Sequence, residues 1–383
     1  MEFDYLIVGA GLSGLVLAER LSSKLGKSCL IVEKREHIGG NAQDQYDDHG
    51  VLIHKYGPHY FRTNAGYVKE YLSRFTDWHP VGYRILSFTD GRYWPFPINL
   101  NTFEQLIGRQ SSTEEMEAAL EKWRVPIEQP MNSEEVIISQ VGWELYHKFF
   151  EGYTLKQWKH HPRELEPNIC GRIPIRTNRD DRYLNESFQA LPKAGYHKMF
   201  ENMLAACTKT KLLLKTNYKE VLPFLRYQHM IFTGPIDEYF DHQLGKLPYR
   251  SLRFEAESFA PETLAHRVVI SGKPGFWQPA MQVNYPNEHD FTRIVEIKHA
   301  TNQRCENTTI VREYPADSGE PYYPLPVAQA KALYKRYEDL AQQEKQTSFI
   351  GRLATYRYYN MDQVVAMALK EFDKRAEFHA KAH

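Results

Sequence analysis

Cysteine is scarce in this chain, and long apolar runs and a surplus of charge of either sign are missing. The four cysteines show neither a CxxC pair nor the spacing of a metal site, so we predict free thiols in a reducing compartment and no bound metal. Lysine plus arginine and aspartate plus glutamate number 48 each, which gives no electrostatic reason to expect a nucleic-acid or membrane partner. Because no apolar run could span a bilayer and no signal peptide precedes the first strand, we predict a cytoplasmic protein.

The opening of the chain has the pattern of a dinucleotide-binding unit. Asp4–Val8 is a β-branched run of the kind buried in a parallel sheet, and Leu12–Leu25 reads as the helix that follows. The glycines of GAGLSG (9–14) have the spacing that turns the chain tightly, approaches a pyrophosphate and packs helix on strand. Glu33 ends a second strand, where a ribose hydroxyl needs an acceptor. The predicted cofactor contacts here are Gly9, Gly11, Ser13, Gly14, Glu33 and Lys34.

Two further features favour FAD over NAD as the dinucleotide. A second glycine pair, Gly39-Gly40, comes just after Glu33 and allows another loop to approach the ligand. Near the other end of the chain, Phe349–Leu353 reads as a strand that enters a glycine turn, followed by a helix that begins near Met361. Both ends of the chain are therefore expected to build one cofactor site.

The middle of the chain predicts two insertions into the cofactor domain. Residues 102–150 have amphipathic helical spacing, including Thr113–Trp123 and Ser133–Phe150. From about residue 211 to 320, short runs between turns read as an antiparallel sheet, and Met230–Gly234 reads as a strand that returns to the first domain. The runs in question are Lys211–Leu214, Arg267–Ile270 and Arg293–Lys298, and a helix is expected over Ala328–Glu344.

We therefore predict an α/β protein with a discontinuous FAD-binding Rossmann-like domain, an inserted helical domain and an antiparallel β-sheet domain. The expected boundaries are 1–75, 190–245 and 325–383 for the cofactor domain, 76–170 for the helices, and 171–189 with 246–324 for the sheet.

Arginines and aromatic residues are concentrated in short loop-like segments after the helical region. Arginine forks suit bidentate contacts with phosphate, and tyrosine hydroxyls complete such a cage. Trp158, together with Phe149-Phe150, could sandwich a planar base. Taken singly, each of these residues is as well explained as a surface arginine or a core aromatic. No nucleophile, paired catalytic carboxylates or metal ligands stand out, so the pattern indicates phosphate clamps beside a flavin.

Eight short segments are spread along the chain: HIGGNA (37–42), HKYGPH (54–59), GYTLKQW (152–158), RIPIR (172–176), TGPIDEYFD (233–241), YRSLRFE (249–255), EPYYP (320–324) and GRLATYRYYNMDQ (351–363). On these segments the chain resembles the bacterial UDP-galactopyranose mutase family nearly from end to end. The resemblance implies a flavin-dependent isomerase that interconverts the pyranose and furanose forms of a UDP-sugar. It implies that N5 of the reduced FAD attacks the anomeric carbon and forms a covalent intermediate while UDP leaves, with NAD(P)H or another reductant to reduce the flavin. It also implies a homodimer.

The resemblance also assigns expected roles to individual residues. Arg172 and Arg293 match the arginines that hold the diphosphate, and His59 matches a histidine beside the flavin, with Arg62 next to it as a further catalytic candidate. The expected substrate contacts are Phe149, Phe150, Tyr153, Trp158, Tyr183, Asn284, Tyr323 and Tyr358. The remaining expected FAD contacts are Gly40, Asn41, His59, Arg352, Tyr359 and Asn360.

Two departures from the family pattern carry the most weight. Members usually have GAHIFHT where this chain has Arg62 as the sixth residue, and YYDM or YLDM where it has Asn360. Both changes make the site more positive, and Arg62 only donates. One interpretation is a pocket for a sugar with an acetamido carbonyl, as in UDP-N-acetylgalactosamine, or with a carboxylate. A second interpretation is neutral drift at these two positions within a UDP-galactose enzyme. Two other classes of function also stay open: a flavin oxidoreductase that acts on a nucleotide sugar or an amine, and a UDP-sugar-binding protein without turnover.

Overall fold

A computed structural model describes residues 1–381 of the protein; positions 382 and 383, the end of the predicted cofactor domain, lie outside the described residues. No helix within that range combines the length and apolarity that crossing a bilayer requires. The strands are Glu2–Val8, Cys29–Val32, Asp44–Tyr46, Leu52–His54, Phe61–Thr63, Trp78–Pro80, Ile85–Thr89, Arg92–Phe96, Phe188–Pro192, Thr210–Leu213, Arg226–Phe232, Tyr249–Phe259, Gln282–Asn284, Arg293–Val295, Thr308–Ala316, Tyr323–Pro324 and Thr347–Phe349.

Helices of very different lengths connect these strands. The α-helices are Leu12–Leu25, Gly66–Leu72, Leu100–Ile107, Thr113–Trp123, Ser133–Tyr146, Gly152–Trp158, Pro167–Gly171, Tyr196–Ala205, Tyr218–Val221, Ile236–Tyr239, Pro261–Ala265, Val268–Ser271, Lys298–Thr301, Ala328–Ala341 and Met361–Lys381. Three 3₁₀ turns, Gly40–Ala42, Pro162–Glu164 and Leu222–Phe224, and one π-helical segment, His147–Glu151, are also described.

A five-stranded parallel sheet forms the centre of the cofactor-binding part. Its strand order is Thr210–Leu213, Cys29–Val32, Glu2–Val8, Arg226–Phe232 and Thr347–Phe349, so distant parts of the sequence lie side by side. Two of its three inner strands, Glu2–Val8 and Cys29–Val32, are largely buried, as expected for a parallel sheet covered on both faces. The predicted Rossmann-like fold is confirmed, and so is the prediction that a later strand, Arg226–Phe232, returns to the sheet of the first domain.

The terminal helix covers this sheet and closes the chain onto its own beginning. Met361–Lys381 packs against Leu12–Leu25, and its Glu371 accepts a hydrogen bond from Ser348 at 2.6 Å. Ser348 is also bonded to His229 at 2.9 Å, so a buried polar chain ties helix and sheet together. The residues just before this helix are therefore held at a fixed place beside the cofactor domain.

A seven-stranded, largely antiparallel sheet forms the second layer. Its order is Tyr323–Pro324, Tyr249–Phe259, Thr308–Ala316, Arg293–Val295, Gln282–Asn284, Ile85–Thr89 and Arg92–Phe96. Asn284 stands opposite Arg293 in this sheet, which brings two predicted substrate residues together. A separate three-stranded sheet of Phe61–Thr63, Phe188–Pro192 and Trp78–Pro80 carries Arg62.

The helical region ends in an irregular turn that aims aromatic residues inward. Ser133–Tyr146 contains a break at Gly142, whose φ of 78° and close approach to the Trp123 carbonyl exclude a side chain. The predicted helix Ser133–Phe150 therefore ends early as an α-helix and continues as the π-helical segment, which buries the consecutive Phe149 and Phe150.

Several strand assignments differ from the structure. Arg267–Ile270 is not a strand, because Val268–Ser271 forms a helical turn that ends at Gly272 in the left-handed region. A short apolar run does not distinguish the two states. The run at 211–214 lies in the parallel sheet, where Thr210–Leu213 pairs with Cys29–Val32. The strand from Arg293 ends at Val295.

The division between helical and sheet parts also differs. Residues 85–96, expected among the helices, form two strands of the seven-stranded sheet. Within the described residues, 171–189 contribute no strand to that sheet, although Arg182 forms an isolated bridge with Arg84 and Tyr183 packs on Phe96. These two strands form a hairpin across Asp90-Gly91, a turn pair that is typical of hairpins and that the sequence analysis overlooked. Their place in this sheet depends on the distant strand Gln282–Asn284 and leaves no local pattern.

Candidate active site

The larger of two adjoining cavities, about 450 Å³ in volume, lies beside the glycine-rich turn after the first strand. The helix Leu12–Leu25 begins at Gly11 with no side-chain cap and no acidic residue in its first turn. Its N–H groups and positive dipole end are therefore available to an anion. The predicted cofactor residues that line this cavity are Gly9, Gly11, Ser13, Glu33, Lys34, Gly40, Asn41, His59, Arg352 and Tyr359.

The remaining predicted cofactor residues lie elsewhere. Gly14 does not line the cavity; a Cβ there would lie 2.1 Å from the Gly9 carbonyl oxygen, so it permits helix and strand to pack closely. Asn360 belongs to the second cavity instead of the first. Its side chain is turned toward Arg62, a contact that no sequence spacing could indicate.

Glu33 is held by the backbone at the rim of the cofactor cavity. Its carboxylate accepts the N–H of Ala10 at 2.8 Å and the N–H of Arg35 at 2.9 Å. A carboxylate oxygen has room for a further donor, so Glu33 fits the ribose hydroxyl that the sequence pattern predicts.

The mouth of the cofactor cavity carries charged residues that sequence reasoning missed. Glu320 lies 3.2 Å from Lys34 and 3.3 Å from Arg35, and Arg35 also donates to Asn41 at 2.9 Å. Partial burial raises the pKa of Glu320, but the charges of Lys34 and Arg35 outweigh this and lower it. The partners lie 285 positions apart, so only the fold brings them together.

Arg352 joins the two cavities and has unused hydrogen-bonding capacity. It lines both cavities, and its buried Nε has no hydrogen-bond partner among residues 1–381. A buried N–H without a partner is costly unless a ligand supplies an acceptor. Together with the uncapped helix and Glu33, this donor fits a bound dinucleotide whose ring end reaches the junction.

The second, inner cavity is smaller, about 200 Å³, and shares His59, Arg352, Tyr359 and Met361 with the first. It contains every predicted catalytic and substrate residue. These are His59, Arg62, Phe149, Phe150, Tyr153, Trp158, Arg172, Tyr183, Asn284, Arg293, Tyr323 and Tyr358. Four arginines and no aspartate or glutamate occur among its described lining residues.

Arg293 is fixed by a buried carboxylate behind the cavity wall. Its Nε and Nη2 donate to the same Glu313 oxygen at 2.9 and 2.7 Å, and Glu313 is only 1% exposed. Burial alone would lower the pKa of Arg293, but Glu313 raises it well above the ordinary value. Glu313 is a further site residue that the sequence did not reveal, since the two lie on adjacent antiparallel strands.

Two arginines enclose the ring of Tyr358. The guanidinium carbons of Arg172 and Arg352 lie 4.9 and 4.7 Å from its centroid, and the ring of Tyr323 stacks at 5.4 Å. Partial burial opposes ionisation of Tyr358, but Arg172 and Arg352 lower its pKa to about 8. Cations placed over an aromatic face are stabilised while their N–H groups stay free for a ligand.

His59 is a neutral imidazole with a defined tautomer. Its Nδ1 lies 3.0 Å from the Gly57 carbonyl oxygen, which only accepts, so Nδ1 carries the proton and Nε2 is an acceptor. Burial, with the charges of Arg352 and Arg293, lowers the pKa of His59 to about 4. At neutral pH the junction of the two cavities thus has an uncharged acceptor.

Aromatic side chains form the other end of the inner cavity. Phe149 and Phe150 are 4% and 2% exposed, and the Trp158 ring lies 5.9 Å from that of Tyr323. Asn284 is oriented from behind, because Gln282 donates to its oxygen at 2.7 Å. The amide N–H₂ of Asn284 is therefore free to donate to a ligand.

Arg62 lines the inner cavity and is held by two partners. Its Nη2 donates to Asn360 Oδ1 at 2.8 Å, and its Nε lies 3.3 Å from Glu186 Oε1. The two departures that change the charge of the site are therefore in direct contact. Glu186 is a further site residue that no sequence pattern indicates.

A cluster of possible metal ligands, which the sequence spacing did not indicate, lies behind the aromatic end. One ligand atom from each of Glu134, Glu151 and His161 falls within 4.8 Å of the others. His161 Nε2 is 3.1 Å from Glu151, and His147 Nδ1 is 2.7 Å from Glu151. The histidine nitrogens and the Glu151 carboxylate therefore lie within hydrogen-bond distance of one another.

Comparison with known proteins agrees with this geometry. A family model described as UDP-galactopyranose mutase matches residues 148–358, and one described as an NAD(P)-binding Rossmann-like domain matches residues 7–75. The crystal structure of a reduced UDP-galactopyranose mutase superposes with a TM-score of 0.74 at 16% identity, covering 99% of this chain and 94% of that one.

Two curated relatives match over nearly their whole length. A Klebsiella pneumoniae protein named "Probable UDP-galactopyranose mutase" is 36% identical, covering 97% of this chain and 94% of the relative. An Escherichia coli dTDP-fucopyranose mutase is 31% identical, covering 95% and 96%. The chain therefore belongs to the UDP-galactopyranose mutase family of flavin-dependent sugar isomerases.

Proposed function

We propose that this protein interconverts the pyranose and furanose forms of UDP-galactose or UDP-N-acetylgalactosamine. The observation that carries this proposal is the junction of the two cavities. A cavity suited to a dinucleotide meets one lined by four arginines and no described carboxylate, with His59, Arg352, Tyr359 and Met361 common to both. A cofactor ring and the anomeric carbon of a nucleotide sugar can meet there.

We assign the diphosphate to Arg172 and Arg293. Guanidinium groups contact phosphate oxygens in a bidentate way, and the tyrosine hydroxyls of Tyr323 and Tyr358 complete the cage. When UDP departs, the glycosidic oxygen stays on the β-phosphate and takes a negative charge. The same arginines stabilise this charge on the leaving group. The aromatic end with Phe149 and Trp158 is assigned to uracil.

The covalent step needs a nucleophile that the inner cavity does not provide. Cys170 is its only thiol among the described lining residues; burial raises its pKa, and its sulfur is bonded to Thr154 at 3.4 Å. When bound, reduced FAD supplies N5 as the nucleophile toward the anomeric carbon. The protein's part is to orient the sugar, exclude water and keep His59 uncharged beside the reacting atoms.

The sugar end of the cavity supports a substrate with a hydrogen-bond acceptor near Arg62. Its guanidinium has five N–H donors, and Asn360 and Glu186 engage only part of them. An acetamido carbonyl could take the remaining donors, which favours UDP-N-acetylgalactosamine beside UDP-galactose. From the family resemblance we also propose a homodimer in the cytoplasm and NAD(P)H or another reductant for the flavin.

Anaerobic turnover of UDP-galactose and UDP-N-acetylgalactosamine tests the proposal. Oxidised and dithionite-reduced holoenzyme would be incubated with each sugar, and pyranose and furanose products separated by chromatography. We expect interconversion only with the reduced enzyme. Net oxidation of the sugar, or substrate-driven reduction of the flavin, would instead identify an oxidoreductase.

A further inference from the structure

Glu186 is the acidic partner of Arg62 although it does not itself line the inner cavity. The Arg62 Nε lies 3.3 Å from Glu186 Oε1, and the two side chains are 20% and 24% exposed. Partial burial strengthens such a pair relative to one on the open surface. The positive charge that the sequence adds at position 62 is therefore cancelled locally.

The backbone around Glu186 is fixed before any ligand binds. The amide of Gln189 donates to the carbonyl oxygens of Leu184 and Glu186 at 3.1 and 2.9 Å. The N–H of Ser187 donates to Asn64 Oδ1 at 2.9 Å. Asn64 follows Arg62 by two residues in the chain. This segment also carries Tyr183 of the cavity wall, so the carboxylate is placed by the same structure that builds the site.

Of the four arginines that line the inner cavity, two form ion pairs with carboxylates. Arg62 pairs with Glu186 and Arg293 with Glu313, at 3.3 and 2.7 Å. Within residues 1–381, no carboxylate lies at ion-pair distance from Arg172 or Arg352, which instead lie over tyrosine rings. The four arginines of the cavity and these two carboxylates leave a net charge of +2 (4 − 2), which matches the two negative charges of a nucleotide diphosphate ester.

We propose that Glu186 is a specificity-determining residue: by neutralising Arg62 and holding it against Asn360, it restricts the site to UDP-sugars whose hexose is uncharged. A hexuronate would add a third negative charge that finds no unpaired cation at the sugar end. A neutral acceptor on the sugar can still use the free N–H groups of Arg62. The inference rests on the proposed function and selects uncharged hexoses over carboxylated ones.

Binding to the reduced holoenzyme tests this assignment, with UDP, UDP-galactose and UDP-galacturonate as probes in calorimetric titrations. For the wild type we expect UDP-galactose to bind more tightly than UDP-galacturonate. Glu186→Gln keeps the shape but frees the charge of Arg62, so the preference should shrink by about tenfold, mainly through tighter binding of the uronate. Glu186→Asp retains the charge and should retain most of the preference.

Glu257→Gln is the matched control. Glu257 pairs with Arg312 at 2.6 Å, and the Arg312 side chain is 24% exposed, close to the 20% of Arg62. Neither Glu257 nor Arg312 lines the cofactor cavity or the inner cavity. It should leave the ratio of the two dissociation constants unchanged. Two results would overturn the role of Glu186: equal binding of both sugars by the wild type, or an unchanged ratio of the two dissociation constants in Glu186→Gln. In either case, binding of UDP would still support the nucleotide site. Failure of UDP itself to bind would overturn both this role and the proposed function.

Discussion

Arg62 donates a hydrogen bond to Asn360 at 2.8 Å, although 298 positions separate the two residues. They are the two departures from the family motifs that make the site more positive. A guanidinium only donates, so its neighbour has to accept, and an amide oxygen does so without adding charge. Because Glu186 already supplies a negative charge, an aspartate at 360 would give Arg62 two acidic partners. The two departures are thus one coupled feature.

Coupling between these positions can be measured with a double-mutant cycle. We expect Arg62→His to lower turnover of UDP-N-acetylgalactosamine relative to UDP-galactose by about tenfold, since an acetamido oxygen loses its donor. The double variant with Asn360→Asp should recover part of the lost kcat/KM, with a coupling energy of about 1 kcal/mol. Strictly additive effects, or an unchanged sugar preference in Arg62→His, would contradict the coupled interpretation.

Removal of the Glu313 charge should affect stability more than substrate binding. Glu313→Gln leaves Arg293 mostly buried beside a neutral partner, and we expect a loss of about 3 kcal/mol in the free energy of unfolding. Saturating UDP should restore part of that loss, because its diphosphate replaces the missing charge. Urea unfolding with and without UDP, compared with Glu257→Gln, measures both effects. An equal UDP-induced stabilisation in both variants would argue against Arg293 as a diphosphate ligand.

Binding of UDP should weaken above about pH 8. The pKa of Tyr358 is lowered to about 8 in the free protein, so its phenolate forms as pH rises through that value. A diphosphate bound to Arg172 and Arg293 offsets their charges and raises this pKa again. Linkage then requires that the affinity for UDP falls where the phenolate forms. Tyr358→Phe should abolish this pH dependence in titrations from pH 6.5 to 9.5.

Lys156 requires a separate control in the same pH range, because burial lowers its pKa to about 8. Its ammonium donates to the carbonyl oxygens of Tyr285 and Glu288, which fix the helix that bears Trp158. A loss of UDP affinity that persists in Tyr358→Phe would assign the effect to Lys156 and contradict the role of the phenol.

Retention of the flavin should depend on the charge of Glu33. A glutamine has one acceptor oxygen, so Glu33→Gln cannot accept the N–H groups of both Ala10 and Arg35 as the carboxylate does. We expect FAD to be released about 10 to 100 times more readily, measured by flavin fluorescence on dilution. Glu36→Gln, whose exposed carboxylate makes only ion pairs of 3.5 and 3.6 Å, should retain FAD like the wild type.

The cofactor unit could be predicted because its determinants are local. The glycines, the uncapped helix and Glu33 all fall within the opening of the chain, and each has a physical reason for its position. The inner-cavity residues came instead from the family resemblance, since singly they resemble ordinary surface arginines and core aromatics. The structure brings them into one cavity, and their individual roles stay predictions.

Residues that act behind the cavity wall could not be predicted. Glu313 and Glu186 give no local signal, because a carboxylate that orients an arginine looks in sequence like any surface glutamate. The place of strand Ile85–Thr89 beside Gln282–Asn284 likewise depends on a distant pairing partner. The short apolar run at Val268–Ser271 fits a helical turn as well as a strand. Such determinants are three-dimensional, and local propensity is too weak to select among them.

The closing strand and helix of the fold have a consequence for biosynthesis. Thr347–Phe349 completes the edge of the parallel sheet, and Tyr358, Asn360 and Met361 complete the inner cavity from the start of the final helix. A nascent chain therefore lacks both the sheet edge and the sugar site until residues 347–361 have left the ribosome. Activity should begin only after that point, and a truncation before residue 347 should abolish activity while leaving the nucleotide-binding turn in place.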